Sequence, residues 1–195
     1  MMSKVHNTAI IGNNVIIGSN VTIGPYCVIE DGVKIGNDNI LYSSVYMSGE
    51  TDVGKGNNFF PFCSIGSKPQ DLKYQGEKSK LIIGNENIFR EHSTANPGTS
   101  GDNMKTVIGN SSLFMIGAHI AHDCIIGDKV IMANQATLGG HVQVDNFAVL
   151  GGLSAVHQFC RIGKLAMIGG LSAVENDVIP FSLALGNRAK ITGVN

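Results

Sequence analysis

A six-residue repeat runs through almost the whole chain. Cutting from Ile11 gives IGNNVI, IGSNVT, IGPYCV and IEDGVK, and a second frame, shifted by one residue, runs from Ile108 to Ile179. The first position is aliphatic almost throughout, the second is often glycine, and the fifth is usually small. A period of six matches neither the 3.6 of an amphipathic helix nor the 2 of a half-buried strand. The repeat therefore predicts short extended segments that point an aliphatic side chain inward, with a bend after each one.

Three such segments are expected to close one triangular coil, so equivalent positions in successive coils are three hexads apart. Successive coils would stack at strand spacing, about 4.8 Å, so that each covers the edge of the one before. Residues 1–195 are thus predicted to form one all-β domain, a parallel β-helix of roughly nine to ten coils with protruding loops. The period alone does not determine the hand of the helix.

Two segments interrupt the repeat. The first, GSKPQDLKYQGEKSKLI (66–82), is expected to be a loop that takes up one coil's worth of residues, because Ile65 and Ile83 are 18 apart. The second lies near 96–107, reads NPGTSGDNMKTV, and should absorb the one-residue frame shift. Long polar loops on a rigid repeat are often functional, although a tolerated surface insertion fits the pattern equally well.

The overall composition excludes several classes of protein. The formal net charge is -1, so no basic field indicates a nucleic-acid partner. No apolar run approaches the roughly 18 residues of a membrane span, and the first residues lack the apolar core of a secretory signal. The expected compartment is the cytoplasm, without stable membrane insertion.

The four cysteines share one repeat position. Cys27, Cys63, Cys124 and Cys160 each stand fifth in a hexad, where valine and alanine stand elsewhere. This regularity indicates small buried core residues, and the two coils between the members of each pair make a disulfide impossible. The absence of a Cys-x-x-Cys motif disfavours metal and redox readings.

The clustered histidines are the main functional signal. His119, His122, His141 and His157 avoid the packing positions, so their side chains should lie on the faces or near the bends. An offset of three hexads, one coil, places His122, Gly140 and Gln158 in one outer column, with Asp123 and His141 in the next. A histidine base, a carboxylate that orients it and an exposed backbone N–H together suit acyl transfer. Surface histidines without a role remain an alternative, and a metal site at His119 and His122 lacks an obvious acidic third ligand.

Several longer stretches resemble one family. They are QDLKYQGE (70–77), IGAHIAHDC (116–124), ANQATLGGHV (133–142), GGLSAVHQFCRIG (151–163) and GNRAKITGVN (186–195). Together they resemble the UDP-N-acetylglucosamine 3-O-acyltransferases of lipid A synthesis, within the hexapeptide-repeat acyltransferases. That resemblance covers essentially the whole chain and implies a left-handed β-helix.

The resemblance also implies a role for individual residues. His122 would be the general base on the sugar 3-hydroxyl, Asp123 would orient it, and the Gly140 N–H would bind the oxyanion. Gly170 stands where the family sets the acyl-chain length, and a glycine there would leave room for a longer chain; Lys73 would meet a phosphate. The other implied substrate-binding residues are Gln70, Asp71, His119, His141, His157, Gln158, Arg188 and Asn195.

The implied reaction moves an (R)-3-hydroxyacyl chain from acyl carrier protein to the 3-position of UDP-N-acetylglucosamine, the first step of lipid A synthesis. The resemblance implies direct transfer without a cofactor or metal, in a homotrimer whose active sites lie between subunits. The chain departs from the family at Asn96–Pro97, where a basic pair is usual, and at Arg188, where histidine is common. It ends at Asn195, where family members continue into a helical C-terminal domain. We expect that domain to be absent here, with weaker carrier binding and slower turnover.

Two other functions remain open on the sequence. One is a hexapeptide N-acyl- or N-acetyltransferase that acts on an amino sugar nucleotide, such as the 3-amino analogue of the same sugar. The other is a non-catalytic or metal-binding trimeric β-helix, of the kind seen in γ-carbonic anhydrases. The acyl donor would distinguish the first, and a metal assay the second.

Overall fold

The computed structural model describes residues 2–195, which form 28 short β-strands. No helix long and apolar enough to cross a membrane occurs in this range. The strands are β1 Lys4–Val5, β2 Ile10–Ile11, β3 Ile16–Ile17, β4 Thr22–Ile23, β5 Val28–Ile29, β6 Lys34–Ile35, β7 Ile40–Leu41, β8 Tyr46–Met47, β9 Glu50–Val53, β10 Asn58–Phe59, β11 Ser64–Ile65, β12 Lys80–Ile83, β13 Ile88–Phe89, β14 Thr94–Ala95, β15 Lys105–Ile108, β16 Leu113–Phe114, β17 His119–Ile120, β18 Ile125–Ile126, β19 Ile131–Met132, β20 Thr137–Leu138, β21 Gln143–Val144, β22 Val149–Leu150, β23 Ala155–Val156, β24 Arg161–Ile162, β25 Met167–Ile168, β26 Ala173–Val174, β27 Ser182–Leu185 and β28 Lys190–Val194.

These strands build three sheets, the faces of a triangular prism. Sheet A has 11 strands and begins β1-β4-β7, sheet B has 9 and begins β2-β5-β8, and sheet C has 8 and includes β3-β6-β9. The chain visits the faces in turn, and each strand pairs in parallel with the strand one coil away, as in Lys4↔Thr22. Only β27 and β28 pair antiparallel among the described strands, so sheet A has ten parallel strands, β1 to β27, and thus ten stacked coils before β28 reverses direction. The predicted parallel β-helix and its number of coils are confirmed.

The prism core is filled by the first and fifth residues of most hexads. Three phenylalanines on sheet A, Phe59, Phe89 and Phe114, stack with ring centroids 5.0 and 4.7 Å apart. At one corner of the prism, buried asparagines of successive coils are hydrogen-bonded to one another. Asn57 donates from its backbone and side-chain nitrogens to Oδ1 of Asn39, and Asn87 donates in the same way to Asn57. Buried amides are therefore satisfied by their equivalents in the next coil, which a strict repeat makes possible.

Both interruptions leave the prism at the edge between sheets B and C, called the B–C edge below. The long loop comprises residues 66–79 and the short excursion residues 96–104, because β12 and β15 already begin at Lys80 and Lys105. The expectation that the long loop takes up a whole coil is wrong. The pairing Asn58↔Ile88, compared with the regular Lys4↔Thr22, shows that the loop adds two hexads' length of chain within one coil. The pairing Ile88↔Leu113 shows that the short excursion adds one hexad and one further residue, which accounts for the frame shift.

The cysteines occupy the predicted core positions. All four are buried and unpaired, as their shared repeat slot indicated. Burial raises the pKa of the Cys124 thiol to about 12 and that of Cys63 to about 11. These thiols pack as small apolar groups and are poor nucleophiles.

Candidate active site

The predicted columns of histidines form on the B–C edge. The His141 N–H donates to the His122 carbonyl at 3.0 Å, and the Phe159 N–H donates to the Gly140 carbonyl at 3.1 Å. His122, Gly140 and Gln158 therefore stack in successive coils, and Asp123, His141 and Phe159 stack beside them. The three-hexad offset placed these residues correctly because no insertion interrupts the repeat after Lys105.

A cavity of about 530 Å³ lies between this edge and the long loop. Seven of the predicted site residues line it: Gln70, Asp71, Lys73, His119, His122, His141 and Gln158. The loop contributes the first three, although they precede His119 by more than two coils of sequence. Four further residues, Leu72, Asn96, Ala121 and Phe159, complete the lining.

His122 is held by a buried carboxylate. Its Nδ1 lies 2.8 Å from Oδ2 of Asp123, whose side chain is 1 % exposed. Thr99 covers that carboxylate: its N–H donates to both oxygens at 3.0 Å, and its hydroxyl donates to Oδ2 at 2.6 Å. Because an ionised carboxylate only accepts hydrogen bonds, Nδ1 carries the proton of the neutral His122 ring, and Nε2 then keeps its lone pair. Asp123, expected on the outside of the prism, is buried because the short excursion lies over it.

Gly140 brings bare backbone against this imidazole. A Cβ added at position 140 would stand 2.6 Å from Nε2 of His122, so only glycine leaves the ring in place. Among the hydrogen bonds within residues 2–195, none uses the Gly140 N–H. An unused donor beside a neutral imidazole is the pairing expected for an oxyanion site.

Two further histidines flank His122. Nδ1 of His119 lies 2.7 Å from the Thr94 hydroxyl, and burial, with a smaller effect of His122, lowers the pKa of His119. The His141 ring meets that of His122 edge-on at 5.0 Å and stacks on Phe159 at 4.4 Å. Nδ1 of His141 lies 3.1 Å from Oδ2 of Asp102 in the short excursion.

His122, Asp123 and His141 are also residue types that bind metal ions. One ligand atom from each of His122, Asp123 and His141 lies within 4.8 Å of the others. However, both Asp123 oxygens already accept hydrogen bonds from Thr99, and Nδ1 of His122 donates to the same carboxylate. A cation would have to displace these contacts, so the donor set fits a histidine–carboxylate pair better than a metal centre.

Six predicted site residues do not line the cavity: Asp123 and Gly140, which contact His122, and four that lie farther away. His157 is exposed on the B–C edge, one residue before Gln158. Arg188 sits in the β27–β28 turn, 3.9 Å from Glu175, and Asn195 donates from Nδ2 to the Leu165 carbonyl at the end of the prism. Gly170 lies between β25 and β26, at the edge between sheets A and B, called the A–B edge below. Their substrate roles stay predictions.

Sequence reasoning missed several residues around the cavity. Phe159 was within its reach, because it stands one coil after His141 in the same repeat. Thr99 and Asp102 were not, because they lie in the short excursion, where no repeat offset applies. The long loop's Leu72 also carries no repeat signal.

The comparisons with known proteins agree on one kind of enzyme. Residues 14–49 and 105–140 match the family model described as "Bacterial transferase hexapeptide (six repeats)". The chain is 52% identical over 194 residues to a protein of Aliarcobacter butzleri named acyl-[acyl-carrier-protein]–UDP-N-acetylglucosamine O-acyltransferase, covering 100% of this chain and 75% of that one.

Solved structures give the same result. LpxA from Acinetobacter baumannii superposes with a TM-score of 0.97 at 46% identity, covering 98% of this chain and 74% of the other. A UDP-N-acetylglucosamine acyltransferase from Campylobacter jejuni gives a TM-score of 0.95 at 39% identity, with 98% and 75% covered. The fold is thus the left-handed parallel β-helix expected from the resemblance, and the chain spans about three quarters of these relatives' length.

Proposed function

Because this chain belongs to the acyl-[acyl-carrier-protein]–UDP-N-acetylglucosamine O-acyltransferase family, we propose that its B–C edge catalyses the transfer of an (R)-3-hydroxyacyl chain from acyl carrier protein to the 3-hydroxyl of UDP-N-acetylglucosamine. This is the first step of lipid A synthesis. The observation that carries the proposal is the His122 imidazole, whose Nδ1 is held by Asp123 and whose ring lies where a side chain at position 140 would stand, beside a glycine with an unused N–H.

The first half of the reaction uses Nε2 of His122. This nitrogen takes the proton of the sugar hydroxyl as the oxygen attacks the carbonyl carbon of the carrier-bound thioester. Asp123 remains ionised and stabilises the imidazolium that forms, because Thr99 and the His122 Nδ1–H satisfy its oxygens. General-base catalysis of this kind contributes typically 10²–10⁴-fold.

The second half depends on Gly140. Its N–H donates to the oxyanion of the tetrahedral intermediate, and a backbone donor of this kind is worth about 10²–10³ in rate. The carbon–sulfur bond then breaks, and the imidazolium returns its proton to the thiolate of the carrier. Each group ends as it began, so the reaction requires no covalent enzyme intermediate and no cofactor.

The long loop supplies the acceptor-binding groups. Lys73, in the wall of the cavity, offers a point charge for a nucleotide phosphate, and Gln70 and Asp71 offer hydrogen bonds beside it. His119 is suited to contact an uncharged hydroxyl, because its lowered pKa favours the neutral imidazole. His141 and Gln158 close the opposite side of the cavity.

The proposed assembly is a homotrimer whose active sites lie between subunits. Gly170 lies on the A–B edge and His122 on the B–C edge. Within one chain, an acyl groove at Gly170 would therefore not reach that chain's own His122. The A–B edge carries Tyr26, Phe62, Leu153 and Leu171, each more than half exposed. An apolar edge of this kind suits contact with the catalytic edge of a second copy. The four unpaired cysteines are compatible with the reducing cytoplasm as the compartment.

The test is direct detection of the product. Purified protein is mixed with a 3-hydroxyacyl carrier protein and UDP-N-acetylglucosamine, and the acylated nucleotide is measured by mass spectrometry. His122→Ala should reduce turnover by about 10²–10⁴, whereas His6→Ala, at an exposed position near the start of the chain, should leave it unchanged. Near-normal turnover by His122→Ala would show that His122 is not the general base. Product from the 3-amino analogue alone would favour N-acylation.

A further inference from the structure

The cavity contains a second histidine–carboxylate pair. Oδ2 of Asp102 lies 3.1 Å from Nδ1 of His141, and the two side chains are 38% and 11% exposed. The His141 ring is fixed on its other sides by the stacked Phe159 and by the edge-on contact with His122. The His141 ring therefore has a fixed orientation, and one of its two nitrogens is not used by the Asp102 contact.

The chemistry of the contact determines which nitrogen that is. A carboxylate accepts hydrogen bonds, so in the neutral His141 ring Nδ1 is the protonated nitrogen and Nε2 the free acceptor. Without the carboxylate, a neutral imidazole can carry its proton on either ring nitrogen. The two tautomers present opposite hydrogen-bonding groups to a ligand. Because His141 lines the cavity, its tautomer determines whether the wall there accepts or donates.

The short excursion holds Asp102 at this place. Thr99 is fixed on Asp123, the Ser100 N–H donates to Oε1 of Glu77 at 2.8 Å, and the Lys80 N–H donates to the Met104 carbonyl at 2.8 Å. A Cβ on Gly98 would stand 2.7 Å from Oδ1 of Asp123, so the backbone also packs closely on the B–C edge. Because hydrogen bonds hold the chain on both sides of Asp102, its contact with His141 belongs to the folded structure of the B–C edge.

We propose that Asp102 is a positioning residue, which holds His141 with Nδ1 protonated so that Nε2 accepts a hydrogen bond from a hydroxyl of the bound substrate. The substrate part rests on the proposed acyl transfer, while the tautomer is a property of the free protein. The short excursion then orients two imidazoles at once, His122 through Thr99 and Asp123, and His141 through Asp102.

The tautomer is tested without substrate, by ¹⁵N–¹H correlation spectra of histidine-labelled protein near pH 8. His141, assigned by its loss in His141→Gln, should show Nδ1–H in the wild type. Asp102→Ala should shift it to a mixture or to Nε2–H. Asn103→Ala, in the same excursion, is the matched control, because the Asn103 side chain makes no hydrogen bond within residues 2–195. An Nε2–H tautomer in the wild type, or an unchanged spectrum in Asp102→Ala, would overturn the proposal.

Kinetics then test the consequence. Asp102→Ala should raise KM for the nucleotide acceptor about 5–20-fold with a smaller change in kcat, the cost of presenting an unmatched donor to a substrate hydroxyl. Asp102→Asn, which keeps an acceptor oxygen, should recover most of the loss. An unchanged KM in Asp102→Ala would refute the substrate role. Absence of any acyl transfer by the wild type would instead reject the proposed function, and the spectra would still decide the tautomer.

Discussion

At the scale of single residues, the site depends on which imidazole nitrogens carry protons. Asp123 and His141 both have positive φ, 58° and 64°, but non-glycine residues adopt this conformation at most bends of the prism, from Asn20 to Phe181. Backbone strain therefore does not distinguish the catalytic bend from the others. The distinguishing features are the buried carboxylate of Asp123 and the close approach of Gly140 to His122.

His119 gives a pH-dependent prediction at this scale. Burial holds its pKa below the usual 6.5, so the folded state binds fewer protons than the unfolded state as the pH falls. Its effect on the free energy of unfolding is absent well above pH 6.5, and stability is lost as the pH falls from there through the folded-state pKa. His119→Gln should make the unfolding free energy less steep with pH in that window, measured by urea titration at several pH values. An equal slope in wild type and variant would contradict the prediction.

At the scale of elements, the two excursions behave as one unit. Glu77 in the long loop accepts the Ser100 N–H at 2.8 Å through Oε1 and the Gln75 N–H at 2.9 Å through Oε2. The hydrogen bond from Ser100 has the largest effect among the contacts that lower the pKa of Glu77 to about 2, and that from Gln75 acts in the same direction. The carboxylate thus ties the loop that carries Gln70, Asp71 and Lys73 to the excursion that contacts Asp123 and His141.

Glu77→Ala should loosen both excursions while leaving the prism intact. Amide hydrogen exchange of peptides from 66–79 and 96–104 should become faster, because the shared acceptor is lost. Glu86→Ala, an exposed glutamate on a different edge, is the control and should leave those peptides unchanged. In the wild type the protection should persist at pH 4, since a lowered pKa keeps the contact above about 2. Protection in Glu77→Ala equal to that of the wild type would show that the bridge is dispensable.

At the scale of the whole molecule, the stacked coils separate the functional parts onto different edges. The proposed catalytic groups and both excursions lie on the B–C edge, whereas Gly170 and a row of exposed apolar side chains lie on the A–B edge. A rigid prism cannot fold one edge onto the other, so the proposed acyl groove requires a second copy of the chain.

Gly170→Met tests this arrangement. A Cβ at position 170 meets only the Gly152 backbone, with the carbonyl oxygen nearest at 3.3 Å, so a small shift of that backbone is enough to admit a side chain. The longer side chain should shift preference toward shorter hydroxyacyl chains, measured as the ranking of kcat/KM across donors. Mixed trimers of Gly170→Met with His122→Ala should regain activity on long chains, because some sites then combine an intact base with an intact glycine. An unchanged chain-length ranking, or no recovery in the mixture, would place the groove elsewhere.

The repeating part of this protein could be predicted from its sequence. Because every regular coil adds the same three hexads, the repeat predicted the prism, the buried cysteines and the column of His122, Gly140 and Gln158. The same reasoning failed at the interruptions: it gave the long loop a whole coil and left Asp123 on the outside. The folded chain was needed to show that Thr99 covers Asp123, that Asp102 contacts His141, and that Gln70, Asp71 and Lys73 line the same cavity as the histidines. The reason is physical: contacts within the coils repeat at a fixed offset in the chain, whereas the path of an excursion depends on side-chain contacts that have no period.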